Sequence, residues 1–197
     1  NKNQQRSLIN AFKKVLNHGQ FFLGPEVREF EKQISSYLKS RYSIGVASGS
    51  SALYLSLRAC GIGNGDEVIT TPLSWIITSN AISSCGAVPV FVDIKDDLNI
   101  NEKLIEKSIT KKTKAIVPMH YGGHACNMKS IMKIARKYKL FVIEDAAQAF
   151  GSDLYKNGII SDVVSFSMNP MKPLGGYGEN GAIVTNNYDI YKKIKLL

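Results

Sequence analysis

Apolar residues recur along this chain with two periods. Val27, Phe30, Ile34 and Leu38 repeat every three to four positions, which puts them on one helix face. Ser165, Phe166, Ser167 and Met168 alternate polar and apolar, the period of a strand. Read this way, the first helix covers 4–17, and the second starts at Pro25, a good first-turn residue, and runs to about residue 39. Strands are expected at 43–47, 67–70, 88–93, 114–119, 140–145, 163–168 and 181–185. Helices are expected at 51–59, 76–84, 102–108, 127–138 and 188–197.

Alternating strands and helices give an α/β fold with three layers and a mostly parallel sheet of about seven strands. Between 163–168 and 181–185 there is no crossover helix, so the last strand is expected to run antiparallel. Ligands of such sheets gather at the carboxyl ends of the strands. Along that edge lie Ser48-Gly49-Ser50-Ser51, then 71–75 with Trp75, then His120-Tyr121, then Asp145 to Gln148, then Ser167 to Lys172.

Composition changes this picture little. The 197 residues suffice for one sizeable domain. The net charge of +9 is spread over helix faces, with no run of five basic residues and no nucleic-acid motif, so a solvated surface or anionic small substrates account for it. No apolar run is long enough to span a membrane. Three scattered cysteines without a CxxC pair fit free thiols and a cytoplasmic location.

The residues at the edge carry the candidate chemistry. Gly49-Ser50-Ser51 joins a strand to a helix N-terminus, where free N–H groups hold an anion or a serine caps the helix. Asp145 ends a buried apolar run, where it can pair with a cationic ring nitrogen, bind a metal or cap a turn. His120, His124 and Cys126 do not lie on one helix face and have no fourth ligand, which argues against zinc and leaves His120 as a residue lining the site. The GxGxxG match at 176–181 opens a strand instead of a helix, unlike a dinucleotide fingerprint. Lys172 stands between Pro170 and Pro173, held extended by the second, and the glycines after it leave room for a flat ligand. An anion cradle, an acidic ring partner and a lysine able to form a Schiff base together describe a pyridoxal phosphate site.

The stretches "FLGPEVREFE", "ASGSSALYLSLRACGIGNGDEVITTPLSWIITSNAI", "AVPVFVDI", "KAIVPMHYGG", "VIEDAAQAFG" and "SFSMNPMKPLGGYGENGAIVTNN" resemble the DegT/DnrJ/EryC1/StrS sugar aminotransferases, fold-type-I pyridoxal phosphate enzymes, in the family's order over nearly the whole chain. The resemblance implies that Lys172 forms the Schiff base and later moves a proton between two carbons. Asp145 would pair with the pyridine nitrogen and Gln148 would reach the ring hydroxyl side. Gly49, Ser50, Ser51 and Ser167 would bind the phosphate, and Trp75 would stack on the cofactor. Asn169 stands where many members carry an aromatic residue or histidine, which bears on substrate choice. The implied activity is amino transfer, from glutamate to a keto-sugar nucleotide. A small phosphorylated ketone as acceptor and a non-catalytic cofactor-binding regulator are the alternatives. The resemblance also implies a homodimer and a small C-terminal domain beyond residue 197, with 1–24 as an N-terminal helix and arm and 25–197 as an incomplete large domain.

Overall fold

The computed structural model describes residues 2–197. Seven strands form one sheet: β1 (Tyr42–Val46), β2 (Glu67–Thr70), β3 (Val88–Phe91), β4 (Thr113–Val117), β5 (Phe141–Asp145), β6 (Val163–Ser167) and β7 (Gly181–Thr185). Their spatial order is β1-β7-β6-β5-β4-β2-β3. All adjacent pairs are parallel except those made by β7, which runs antiparallel to both β1 and β6. The reversal follows from the missing crossover helix: β6 turns back through a loop and β7 enters from the same edge.

The helices are α1 (Lys2–His18), α2 (Pro25–Tyr37), α3 (Gly49–Ala59), α4 (Ile77–Ser84), α5 (Glu102–Ile105), α6 (Met128–Tyr138) and α7 (Tyr188–Leu196). Side-chain caps set several starts. Ser48 accepts the Ser51 N–H at α3, Asn127 the Ser130 N–H at α6, and Asn187 the Asp189 and Ile190 N–H groups at α7. The stretch expected as a helix at 102–108 divides into α5 and a 3₁₀ turn, Glu106–Ser108. Nothing in α1 is buried, although Leu8, Ile9, Phe12 and Leu16 share its apolar side. No described helix is long and apolar enough to cross a membrane.

Strand alternation sorts the core onto the two sheet faces. Val163 and Ile143 pack with Ala52, Leu53 and Leu57 of α3, Ile82 of α4 and Ile190 of α7. Val164, Phe166 and Ala182 pack with Ile34 of α2, and Ile116 and Val142 with Ile131 of α6. β6 and β7 are buried along their whole length, as central strands covered on both faces should be. Each fully buried aliphatic side chain here contributes about 1.5–3 kcal/mol. The same parity places the polar residues. Asp145 is in register with Ser165, on the face that α3 covers, while Glu144 and Phe166 point to the other.

Candidate functional site

At the carboxyl edge of β1, β4, β5 and β6 a cavity of about 660 Å³ opens. Its walls include Ser48, Gly49 and Ser50 from the start of α3, Trp75 before α4, Asp145 and Gln148 after β5, and Ser167, Asn169 and Lys172 after β6. Seven of the sequence candidates thus meet in one space with Lys172. Ser51 and His120 do not line it.

Ser51 belongs to the same turn but is occupied with the cap. Its N–H donates to Ser48 Oγ at 3.0 Å, and the two hydroxyls are 3.1 Å apart. Ser48 and the first N–H groups of α3 form the cradle, with Ser167 facing them. Gly49 has a steric reason to be glycine: a Cβ there would sit 2.5 Å from Ser167 Cβ. The close approach of α3 to β6 therefore requires the bare backbone.

His120 departs from the expectation that it lines the site. Its ring is fully buried behind the cavity. Nε2 lies 2.7 Å from Glu144 Oε2 and Nδ1 accepts the Cys126 N–H at 3.2 Å. Tyr155 and Ser161 also donate to Glu144. The reason is strand parity. Met119 bridges to Asp145 and lines the cavity, so the next residue points through to the opposite face with Glu144.

Asp145 is buried at the cavity floor, 3% exposed. Its Oδ2 accepts from Thr78 Oγ1 at 2.7 Å and its Oδ1 from the Ala147 N–H at 3.2 Å. Burial pushes its pKa up, while Thr78, the Ala147 N–H and the charges of His120 and Lys172 pull it down; burial dominates. A cation placed against this carboxylate would offset the cost of burying it. Thr78 escapes sequence reasoning because a threonine on a helix has an ordinary packing role. The usable signal was its place one turn after Ser74 and beside the edge.

Gln148 has a defined orientation. Its Oε1 accepts the Gly122 N–H at 2.7 Å, which turns its amide N–H groups away as donors. Trp75 is 74% exposed with its ring on the cavity wall, far from a core position.

Lys172 is half-buried, and among the described residues its Nζ has no hydrogen bond or salt bridge. Its backbone N–H donates to Asn169 O at 2.8 Å, and Asn169 Oδ1 accepts the Met171 N–H at 3.0 Å. Asn169 Nδ2 donates to Glu179. The neighbouring glycines correct the expectation that they leave space for a ligand. A Cβ on Gly175 would lie 2.6 Å from Pro170 O, and one on Gly176 2.2 Å from Asn180 Nδ2. They let the loop close on itself and so hold Lys172 in place.

A buried carboxylate, an unpaired lysine and a helix-start cradle facing one volume can hold a flat, anionic, carbonyl-bearing ring. The sequence profile of the DegT/DnrJ/EryC1/StrS aminotransferase family matches residues 2–197. The chain is 42% identical over 202 residues to UDP-2-acetamido-2-deoxy-3-oxo-D-glucuronate aminotransferase of Pseudomonas aeruginosa, covering 98% of this chain and 56% of that protein. It is 42% identical over 188 residues to 3-oxo-glucose-6-phosphate:glutamate aminotransferase of Bacillus subtilis, covering 94% of this chain and 42% of that one. Among solved structures, NtdA of Bacillus subtilis with its cofactor PMP bound superposes with a TM-score of 0.94 at 39% identity, over 98% of this chain and 44% of that chain. The chain spans about half the length of the curated relatives it matches. It belongs to the DegT/DnrJ/EryC1/StrS aminotransferase family.

Proposed function

We propose that the full-length protein is a pyridoxal phosphate-dependent aminotransferase that moves an amino group from glutamate to a keto-sugar nucleotide. The observation that carries this reading is the convergence of Lys172, Asp145 and the Gly49–Ser167 cradle on one cavity. Bound pyridoxal phosphate supplies an electron sink for the pair released when the carbon bearing the amino group loses its proton.

Each residue has a stated task. The α3 N–H groups at Gly49 and Ser50, with the hydroxyl of Ser167, receive the phosphate; the Ser51 hydroxyl supports that turn through Ser48. Asp145 would pair with the ring nitrogen and favour its protonated form. Gln148 would offer an N–H to the ring hydroxyl side, and Trp75 would cover one ring face. Lys172 Nζ would hold the cofactor and would take and return the proton moved between the two carbons. Asn169, engaged with Met171 and Glu179, orients the turn that carries Lys172.

The sugar-nucleotide acceptor is supported by the name of the Pseudomonas relative, and glutamate as donor by that of the Bacillus relative. The latter name also favours a second reading, a phosphorylated keto-sugar as acceptor. A cytoplasmic homodimer is the assembly we propose, with small molecules and not nucleic acid as partners. The test is the product formed by full-length protein with glutamate and a panel of keto-sugars, nucleotide-linked and phosphorylated. Borohydride reduction should fix the cofactor to the peptide containing Lys172. Attachment at another lysine overturns the assignment.

A further inference from the structure

The buried carboxylate at the cavity floor does not stand alone. Thr78 Oγ1 lies 2.7 Å from Asp145 Oδ2 and 2.6 Å from Ser74 Oγ. Thr78 is buried, whereas Ser74 lines the cavity. Three oxygens therefore run in series from the open space to the buried carboxyl group at the cavity floor.

We propose that Ser74 and Thr78 are positioning residues that hold Asp145 ionised and fix which of its lone pairs face the ring-binding space. The argument rests on counting protons. An ionised carboxylate only accepts, and a threonine hydroxyl has one hydrogen to give. Thr78 gives it to Asp145, so Ser74 must donate to Thr78, and the lone pairs of Ser74 turn toward the cavity. The Ala147 N–H occupies the other carboxylate oxygen. With both oxygens engaged, the carboxyl plane is locked, and the chain of donors strengthens the last bond by polarisation. If Asp145 takes up a proton at Oδ2, every donor in the row can reverse, and Ser74 becomes a donor to the cavity.

Burial works against the ionised form, and a hydrogen bond to the charge works for it. The other titratable groups that feel Asp145 are Lys172 from the loop after β6, His120 from the end of β4 and Tyr155 from the turn at Asp153–Tyr155. Glu144, next to it on β5, points to the opposite face. None of these is altered by changing Thr78, and α3 and α4 bring no charged side chain to the carboxylate.

The decisive experiment is ¹³C NMR titration of the Asp145 carboxyl in ligand-free full-length protein, assigned by its disappearance in Asp145→Asn. Thr78→Val keeps the shape and removes the donor; Thr78→Ser restores it. We expect the Asp145 midpoint to rise by about one pH unit or more in Thr78→Val, to return to the wild-type value in Thr78→Ser, and to rise less in Ser74→Ala. Equal midpoints in wild type and Thr78→Val overturn the proposal. So does a rise that Thr78→Ser fails to reverse. Should Thr78→Val not fold, the Ser74→Ala titration decides, because an unmoved midpoint there removes the relay.

A second arm rests on the proposed function. Thr78→Val should weaken pyridoxal phosphate binding about tenfold, and the loss should vanish in the Asp145→Asn background. An equal loss in that background overturns the relay. If wild-type protein binds no pyridoxal phosphate, the proposed function fails, and the cofactor-free titration still decides the relay.

Discussion

Asp145 and Lys172 line the same cavity from two different kinds of structure. Asp145 ends a strand buried from its second residue onward, and its oxygens are held by Thr78 and the Ala147 N–H. Lys172 sits in a largely exposed loop whose order comes from Asn169, from the Gly176 N–H donating to Met168 O, and from glycines that let the chain fold back. The carboxylate is built into the core with both oxygens engaged. The amine of Lys172 is mounted on a braced loop, with its end left unpaired among the described residues. Changes at the two residues should therefore fail differently, one through the packed interior and one through chemistry alone.

The largest contrast should come from Lys172→Ala. Transamination by full-length protein is expected to fall to background, while stability in urea changes by no more than about 0.5 kcal/mol, the usual range for a surface substitution. A large loss of stability would place Lys172 among the structural residues and erase the contrast.

Asp145→Asn should cost about 10²–10³ in rate, the scale for removing one preorganised charged group from a site. The pH dependence carries a sign. Asp145 has a folded pKa above its ordinary value of 3.8, so its contribution to the ligand-free fold is fully present below that value. That contribution is lost as pH rises through the raised value. A cation against the carboxylate reverses this, so the thermal stabilisation given by pyridoxal phosphate should grow with pH more steeply in wild type than in Asp145→Asn. Parallel curves for the two proteins would detach Asp145 from the ring nitrogen.

The fold was legible because its signals are local and periodic. All seven strands lie within a residue or two of the alternating runs, since strands covered on both faces need apolar stretches bounded by turn residues. The convergence of Gly49, Trp75, Asp145, Ser167 and Lys172 followed from one rule about strand ends. What stayed hidden depends on direction. His120 and Met119 are neighbours on one chain, and only the register of β4 against β5 tells which faces the cavity. Thr78 has no motif of its own, because its role exists only through a hydrogen bond to a residue 67 positions away. Gly175 and Gly176 look the same in sequence whether they admit a ligand or their own loop.

Gly49→Ala tests how tightly the buried side is built. The added methyl has to displace Ser167, at a cost of about 1–3 kcal/mol from overpacking, seen as a lower urea midpoint together with weaker phosphate binding. Unchanged stability would mean that α3 and β6 separate freely. The smallest effect should be that of Trp75→Ala. Stacking is worth about 0.5–1.5 kcal/mol beyond burial, so cofactor affinity should fall tenfold or less, with covalent attachment retained. Unchanged affinity would leave the exposed ring without a part in the site.

The place of β7 has a consequence for how the protein is made. β1 lies at one end of the sheet, and among the described residues its only strand neighbour is β7. The Arg41 N–H before β1 likewise bonds to Asn186 Oδ1 after β7, 145 residues away. During synthesis β1 thus waits, edge exposed, until the chain as far as β7 has followed it. Pairings across such distances are slow to form and open to wrong partners meanwhile. The turn at the end of β1 is translated well before β7, yet it is tied into the sheet only when β7 pairs between β1 and β6. A ribosome-stalled chain ending before residue 181 can still set α3 against β6, but it lacks the strand that joins β1 to β6.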